Sequence, residues 1–259
     1  MSDAIARAFG AVRESGRRAA LMPYLMGGYP DVAASKAACE AAAAAGADLI
    51  ELGVPFSDPL ADGPVIHAAG TEALAAGVTP DDVLGVCEGV GERLPVILMV
   101  YANVVLGAGL EAYAARAASA GAAGLIVPDL PWDEAPELRV VCDAAGLALV
   151  PLVAPTTTDE RLAAIGADAR GFVYTVALSG TTGERAELPP ELPDAVQRVR
   201  GVTDLPVAVG FGISSGEQAR AVSEVADGVI VGSRIVRAVG EGGAEGVRIV
   251  VEELAEALL

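Results

Sequence analysis

The chain has 259 residues, of which 53% are hydrophobic and 20% are charged, and its formal net charge at pH 7 is −18. Such an acidic surface repels nucleic acid and anionic membranes, so neither is an expected partner. The first residues lack the basic stub and apolar stretch of a signal peptide. The uncharged run 94–110 is shorter than the ~20 residues that cross a bilayer and contains Pro95. We therefore expect a cytoplasmic protein with a sizeable core and no membrane span.

The cysteines and the single histidine argue against metal or triad chemistry. Cys39, Cys87 and Cys142 are far apart in the sequence and form no metal-like pair, so buried free thiols are expected. His67 is the sole histidine, which excludes a His-rich metal site and leaves little for a Ser-His-Asp triad. We expect no bound metal, and we expect His67 to cap or pack at a helix start.

Short apolar runs in chain order predict eight strands. The runs are apolar on both faces, which is typical of parallel strands covered by helices. The predicted strands are 20–26, 49–52, 96–101, 124–127, 147–153, 172–176, 207–209 and 228–231.

Segments with helical spacing separate these strands. Strand–helix alternation predicts a parallel sheet, and eight such units in about 250 residues favour a closed barrel over an open sheet. We therefore predict an α/β fold, a single (β/α)8 TIM barrel over residues 1–259, with 4–14 as an extra N-terminal helix that caps the barrel bottom. The other predicted helices include 32–45, 111–120, 134–145, 160–165, 195–200 and 217–225.

The segment 51–64, with the sequence ELGVPFSDPLADGP, is the most informative part of the chain. Glu51 ends an apolar run, and burying an unpaired carboxylate is costly, so this residue is a candidate acid or base. Because strand side chains alternate, Glu51 points the same way as Leu49, toward the enclosed side. Barrel active sites lie where strands end, so Glu51 and Asp62 in the following loop are predicted to divide acid and base roles.

A structural alternative remains open for these acids. Glu51 could pair with a buried cation, while Asp58 and Asp62 merely shape turns between the prolines of the loop. For Asp58 alone we favour a turn or interface role.

Three glycine-rich turns follow the last three predicted strands, at 179–183, 210–214 and 232–234. Glycine lets backbone N–H groups approach a phosphate, and a helix start adds a positive dipole end. Loops after strands seven and eight are the usual phosphate site of such barrels. The joint placement of the turns predicts phosphate binding. Tyr101 and Tyr174 lie near strand ends, where they either line a ligand pocket or fill the barrel mouth.

Nearly the whole chain resembles the tryptophan synthase α-subunit family. Segment 51–64 is highly specific to that family, whereas the glycine turns are shared with many phosphate-binding barrels. Met26 and Thr181 depart from the family pattern, which often has threonine and valine there. The segments that carry the resemblance, in the family's order, are 23–24, 28–31, 51–64, 99–103, 128–131, 179–183, 210–214 and 232–233.

The resemblance implies a carbon–carbon lyase of tryptophan biosynthesis, which cleaves indole-3-glycerol phosphate to indole and D-glyceraldehyde 3-phosphate. Glu51 would be the main acid–base residue, and Asp62 would hold the indole N–H. Thr182 would close the sixth loop over Asp62 and exclude water. Phosphate would be bound by Gly183, Gly212, Gly232 and Ser233. The indole pocket would be drawn from Leu21, Ile66, Met99, Ile126, Tyr174, Phe211 and Ile230.

The resemblance also implies a partner, the β subunit, in an α2β2 heterotetramer. Indole would pass to that subunit, which holds pyridoxal phosphate; this chain would carry no cofactor. Asp58 and the region of Pro131 would face the partner. Two alternatives stay open: a stand-alone lyase that releases free indole, and an idle binding or regulatory barrel that kept only phosphate affinity. Glu51 and Asp62 argue against the second.

Overall fold

The computed structural model describes residues 2–176, 190–210 and 212–259. Within these residues strands alternate with helices along the chain, as the apolar runs predict. The strands are β1 (Ala20–Met26), β2 (Ile50–Gly53), β3 (Val96–Met99), β4 (Ala122–Ile126), β5 (Ala148–Leu149), β6 (Leu152–Val153), β7 (Val173–Val176), β8 (Val207–Gly210) and β9 (Gly228–Val231).

Several of the helices begin at a side-chain cap. The Asp31 carboxylate accepts a hydrogen bond from Ala34 N at 2.8 Å, and Thr79 forms a capping box with Asp82. The helices are α1 (Ser2–Glu14), α2 (Val32–Ala44), α3 (Pro64–Ala75), α4 (Pro80–Gly91), α5 (Ala102–Ala108), α6 (Leu110–Ser119), α7 (Pro136–Ala145), α8 (Asp159–Asp168), α9 (Leu192–Arg200), α10 (Gly216–Ser223) and α11 (Ser233–Ala257).

The strands form one parallel sheet that closes on itself. Its order is β5-β4-β3-β2-β1-β9-β8-β7-β6, and every described pairing is parallel. The two ends of this order, β5 and β6, are halves of one extended segment. Between them Val150 N donates to Leu125 O at 2.9 Å, and Pro151 O accepts from Tyr174 N at 3.0 Å. The predicted (β/α)8 barrel is therefore confirmed, with its fifth strand divided in two.

Two apolar layers lie on the two sides of the sheet. An outer layer between strands and helices includes Ile50 and Leu52, and an inner layer inside the barrel includes Leu49. Since side chains alternate along a strand, Glu51 projects inward. It is only 1% exposed. The predicted direction of this side chain is thus the observed one.

Helix α1 covers the N-terminal end of the barrel, as expected for the extra helix. Ile5, Phe9 and Val12 belong to the inner apolar layer. The Phe9 ring lies 6.0 Å from that of Phe172, which directly precedes β7. With this end filled, the accessible end of the barrel is the one where the strands finish.

No helix in the described part of the chain is long and apolar enough to cross a membrane.

The segment after β3 differs from the predicted structure. The predicted strand 96–101 ends at Met99, and Tyr101 is the N-cap of α5.

The helix after β4 also differs from its predicted bounds. The predicted helix 134–145 starts later, at Pro136, after a short 3-10 turn over Trp132–Glu134. Proline is favoured at the first helical position, which accounts for the start at Pro136.

Candidate active site

A cavity of about 170 Å³ opens at the carboxyl ends of the strands. It combines two acids with apolar and aromatic walls and a glycine-rich end, which is the composition of a small-molecule site. Its walls come from β1, β2, β3, β6, β7 and β9 and from the loops and helix starts beyond the strands. The lining residues are Tyr24, Glu51, Ala61, Asp62, Ile66, Met99, Pro128, Leu152, Tyr174, Val176, Gly212, Ile213, Ile230, Gly232 and Ser233.

Glu51 lies at the floor of this cavity. Its two carboxylate oxygens are buried and accept no hydrogen bond from the described residues. Burial, reinforced by the nearby Asp62 carboxylate, raises the pKa of Glu51 from 4.5 to about 8. At neutral pH the side chain is therefore mainly protonated, and it can give a proton to a bound molecule. The alternative of a buried cation paired with Glu51 finds no support among the described ion pairs.

Asp62 is held in the loop between β2 and α3. The Tyr101 hydroxyl donates to Asp62 Oδ1 at 3.0 Å, and Asp62 N donates to Pro59 O at 3.1 Å. Burial raises the pKa of Asp62, while the hydrogen bond from Tyr101 and the proximity of His67 lower it. Asp62 and Glu51 thus face one cavity in different environments, which is how two carboxyl groups come to act as acid and base.

The far end of the cavity is built from backbone. Gly212 has φ +74, a left-handed conformation that glycine adopts without strain. Gly232 is the N-cap of α11, and Ser233 is its first residue. The first N–H groups of a helix have no intrahelical acceptor, so they are available to an anion. Described residues of the second and third glycine turns therefore line one cavity with the two acids.

The structure brings together most of the residues predicted for a pocket. Ile66, Met99, Tyr174 and Ile230 line the cavity with Glu51 and Asp62. Tyr101 does not line the cavity itself, but its hydroxyl is hydrogen-bonded to Asp62, which does. The Tyr101 ring stacks on that of Phe56, with centroids 5.0 Å apart. Gly183, Thr182, Thr181 and Phe211 lie outside the described residues.

Two predicted pocket residues lie elsewhere. Leu21 is 0% exposed and belongs to the outer layer, between the sheet and the helices. Its place in β1 turns it away from the barrel interior, so the prediction of a pocket role was wrong. Ile126 lies in the inner layer but does not reach the cavity lining.

Tyr24 is an aromatic residue of the cavity that was not predicted as a site residue from the sequence. It is 4% exposed, lines the cavity and pairs in register with Glu51 of the neighbouring strand. The inward residues of β1 are Ala20, Met22 and Tyr24, with Ala20 and Met22 in the inner layer. Alternation places Tyr24, and not Leu21, on this inward face, but the sequence carries no signal that tells the inward face of β1 from the outward one.

The described residues hold no group of three or more His, Cys, Asp and Glu side chains placed to bind a metal ion. Cys39, Cys87 and Cys142 are buried free thiols, as predicted. Burial raises the pKa of each thiol to about 12, so all three remain protonated at neutral pH.

Comparison with known proteins points to one family. The family model described as "Tryptophan synthase alpha chain" matches residues 10–258. A protein named tryptophan synthase alpha chain from Synechococcus elongatus is 48% identical over 258 residues, which cover 98% of this chain and 97% of the relative. One of the same name from Carboxydothermus hydrogenoformans is 48% identical and covers 90% of this chain and 87% of the relative.

Solved structures agree with these sequences. A structure of Mycobacterium tuberculosis tryptophan synthase has a chain that superposes with a TM-score of 0.93 at 43% identity, covering 98% of this chain and 97% of that chain. Tryptophan synthase subunit alpha from Legionella pneumophila superposes with a TM-score of 0.90 at 34% identity, covering 98% and 97%.

Proposed function

The chain belongs to the tryptophan synthase alpha chain family, and from this premise we propose that it cleaves indole-3-glycerol phosphate to indole and D-glyceraldehyde 3-phosphate. This retro-aldol reaction is a carbon–carbon lyase step of tryptophan biosynthesis. The observation that carries the proposal is the pair of acids in one cavity, with Glu51 buried and protonated at neutral pH and Asp62 half-buried in the loop above it.

Glu51 acts first as an acid and then as a base. Its proton goes to C3 of the indole ring, which leaves a positive charge on the ring nitrogen. The resulting carboxylate removes the proton of the glycerol hydroxyl next to the ring. The bond from C3 to that carbon breaks, its electron pair returns to the indole ring, and the carbon becomes the aldehyde. General acid–base help of this kind contributes about 10² to 10⁴ in rate.

Asp62 binds the ring nitrogen and compensates its charge. As a carboxylate it accepts the indole N–H and stabilises the cation that forms after protonation at C3. The hydrogen bond from Tyr101 favours the ionised form of Asp62, which the role requires. Ile66, Met99, Tyr174 and Ile230 supply apolar contacts to the ring.

The phosphate of the substrate binds at the glycine-rich end. Gly212, Gly232 and Ser233 line the cavity there, and α11 presents its positive dipole end to the anion. No lysine or arginine is needed, which suits a chain whose net charge is −18. The family pattern further implies phosphate binding by Gly183 and loop closure over Asp62 by Thr182, two residues that lie outside the described part of the chain.

The partner of this chain is a β subunit that receives the indole, in an α2β2 heterotetramer in the cytoplasm. That subunit carries pyridoxal phosphate, and this chain needs no cofactor. Two exposed leucines in the segments that follow β2 and β3 support a partner surface. Leu60, after β2, is 79% exposed, and Leu106, in α5, is 62% exposed. Asp58 lies in the same loop as Leu60, and Pro131 lies in the loop after β4.

Indole release by the purified chain, measured with and without a β subunit, tests the proposal. We expect slow release by the chain alone and faster release with the partner. Fast release that the partner leaves unchanged would indicate a stand-alone lyase. No release under either condition, with phosphate affinity retained, would identify a binding barrel and overturn the proposal.

A further inference from the structure

The phenolic oxygen of Tyr24 lies one residue layer above Glu51 on the same side of the sheet. A side-chain carbon built on Gly53 would lie 2.1 Å from Tyr24 Oη, so the oxygen fills the space of a residue-53 side chain. Residues 51 and 53 face the same way, and their layers are separated by roughly 6.6 Å along the strand. The Tyr24 hydroxyl therefore lies between Glu51 and the mouth of the cavity.

The groups around this hydroxyl are acceptors or other phenols. Burial raises the pKa of Tyr24 well above 10, and Asp62, Glu51, Tyr101 and Tyr174 raise it further. The hydroxyl thus keeps its proton at every working pH, and toward a carboxylate it can act only as a donor. Glu51 lines the same cavity as Tyr24, and both oxygens of its carboxyl group lack a described partner.

We propose that Tyr24 is a positioning residue for Glu51. Its hydroxyl donates a hydrogen bond to the Glu51 carboxylate that forms when the proton passes to indole C3. This bond turns the carboxylate toward the cavity, where it removes the proton of the glycerol hydroxyl. Tyr24 itself neither gains nor loses a proton. The inference rests on the proposed lyase function and adds to it a group that acts through Glu51.

The Tyr24→Phe variant removes the donor and keeps the ring. Without the donor the ionised form of Glu51 is less stable, so Glu51 becomes a weaker acid and proton transfer to C3 slows. A hydrogen bond to a charged group corresponds to roughly a 10- to 100-fold effect, which is the expected fall in kcat. The same change raises the pKa of Glu51, so the decline of kcat/KM at high pH moves about one pH unit or more upward.

The experiment measures indole release against pH for the wild-type chain, Tyr24→Phe and a matched control, Tyr113→Phe. Tyr113 is 1% exposed in the outer layer, and its hydroxyl has no described partner. We expect the pH profile of indole release by Tyr113→Phe to match that of the wild type. For Tyr24→Phe we expect a lower maximal rate and a decline at the alkaline side (the alkaline limb) that begins at higher pH. Loss of packing alone would not move the limb upward.

Two results would overturn the inference. One is an unchanged alkaline limb in Tyr24→Phe, whatever its rate; the other is a fall in kcat/KM that comes from KM alone. Inhibition of both chains by inorganic phosphate reports whether the cavity of the variant stays folded. If the wild-type chain releases no indole with or without a β subunit, the proposed function fails first, and this outcome is distinct from a failure confined to Tyr24.

Discussion

The hydroxyl of Tyr101 links Asp62 to the segment that follows β3. It donates to Asp62 Oδ1 at 3.0 Å and accepts from Ala61 N at 3.1 Å, so one oxygen holds both the carboxylate and the backbone of the loop. Tyr101 is the N-cap of α5, whereas Asp62 lies in the loop between β2 and α3. A residue two positions beyond β3 thus fixes the second acid, and adjacent barrel strands contribute jointly to one group.

Tyr101→Phe removes this hydrogen bond and keeps the ring. Because the bond lowers the pKa of Asp62, its loss raises that pKa, and the acidic limb of the kcat/KM profile moves to higher pH. We expect kcat/KM to fall about tenfold at neutral pH. Phe56→Leu is the control, since it disturbs the ring stack alone. An acidic limb that shifts equally in both variants would contradict a role for the hydrogen bond.

Glu51→Gln changes how stability depends on pH. The pKa of Glu51 is about 8 in the folded chain and near 4.5 when unfolded, so the folded state binds this proton more tightly. Well below pH 4.5 Glu51 is protonated in both the folded and the unfolded state, so its ionisation does not affect the free energy of unfolding. Between pH 4.5 and 8 the unfolded state ionises first, and the wild type loses stability as pH rises.

The expected difference between the two chains follows from this linkage. Each pH unit corresponds to about 1.4 kcal/mol, so the unfolding free energy of Glu51→Gln relative to the wild type rises by roughly 5 kcal/mol between acid and pH 8. Urea unfolding at a series of pH values measures the difference. A difference that stays constant with pH would mean that Glu51 ionises normally in the folded chain.

Gly232→Asp places a charge at the predicted phosphate site. A side-chain carbon at Gly232 would lie 3.4 Å from Ile66 Cδ1, an ordinary contact, whereas Gly212 needs φ +74 and any substitution there adds backbone strain. We expect Gly232→Asp to raise KM at least tenfold by repulsion between like charges, with Gly232→Ala close to the wild type. Equal KM values for the two variants would show that the substrate phosphate does not bind at this end of the cavity.

The alternation in β2 shows what the sequence could predict. Ile50, Glu51 and Leu52 lie in this short strand, and the one acid among apolar residues indicates which face carries the functional group. The eight apolar runs likewise predicted the barrel, because eight strand–helix units in about 250 residues favour a closed sheet. Such local signals need no knowledge of neighbouring strands.

The error at Leu21 shows where sequence information ends. All seven residues of β1 are buried, so no polar residue distinguishes the inward face from the outward one. The inward face of β1 is identified only by its pairing with β2, which places Tyr24 beside Glu51. Strand pairing is a tertiary property that the sequence of β1 alone does not contain. The division of the fifth strand at Val150 and Pro151 also depends on its two different neighbours, β4 and β7.

Leu21→Ala tests the corrected position of Leu21. Truncation of a fully buried leucine leaves a cavity in the outer layer, so we expect the free energy of unfolding to fall by about 2–5 kcal/mol. KM for the substrate should stay within about twofold, because Leu21 does not line the site. Leu60→Ala, at a residue 79% exposed, should change the stability of the isolated chain by less than about 0.5 kcal/mol. A large rise in KM for Leu21→Ala would show that Leu21 does contribute to the substrate pocket.

In the proposed reaction the buried side chain of Glu51 transfers both protons of the cleavage. The formation of indole and glyceraldehyde 3-phosphate by the wild-type chain and by Glu51→Gln, measured at saturating substrate together with the substrate affinity of both chains, tests this role. We expect equal amounts of the two products from the wild type and a rate at least about 10²-fold lower for the variant, with little change in affinity. A rate for Glu51→Gln within a few-fold of the wild type would show that another group transfers the protons.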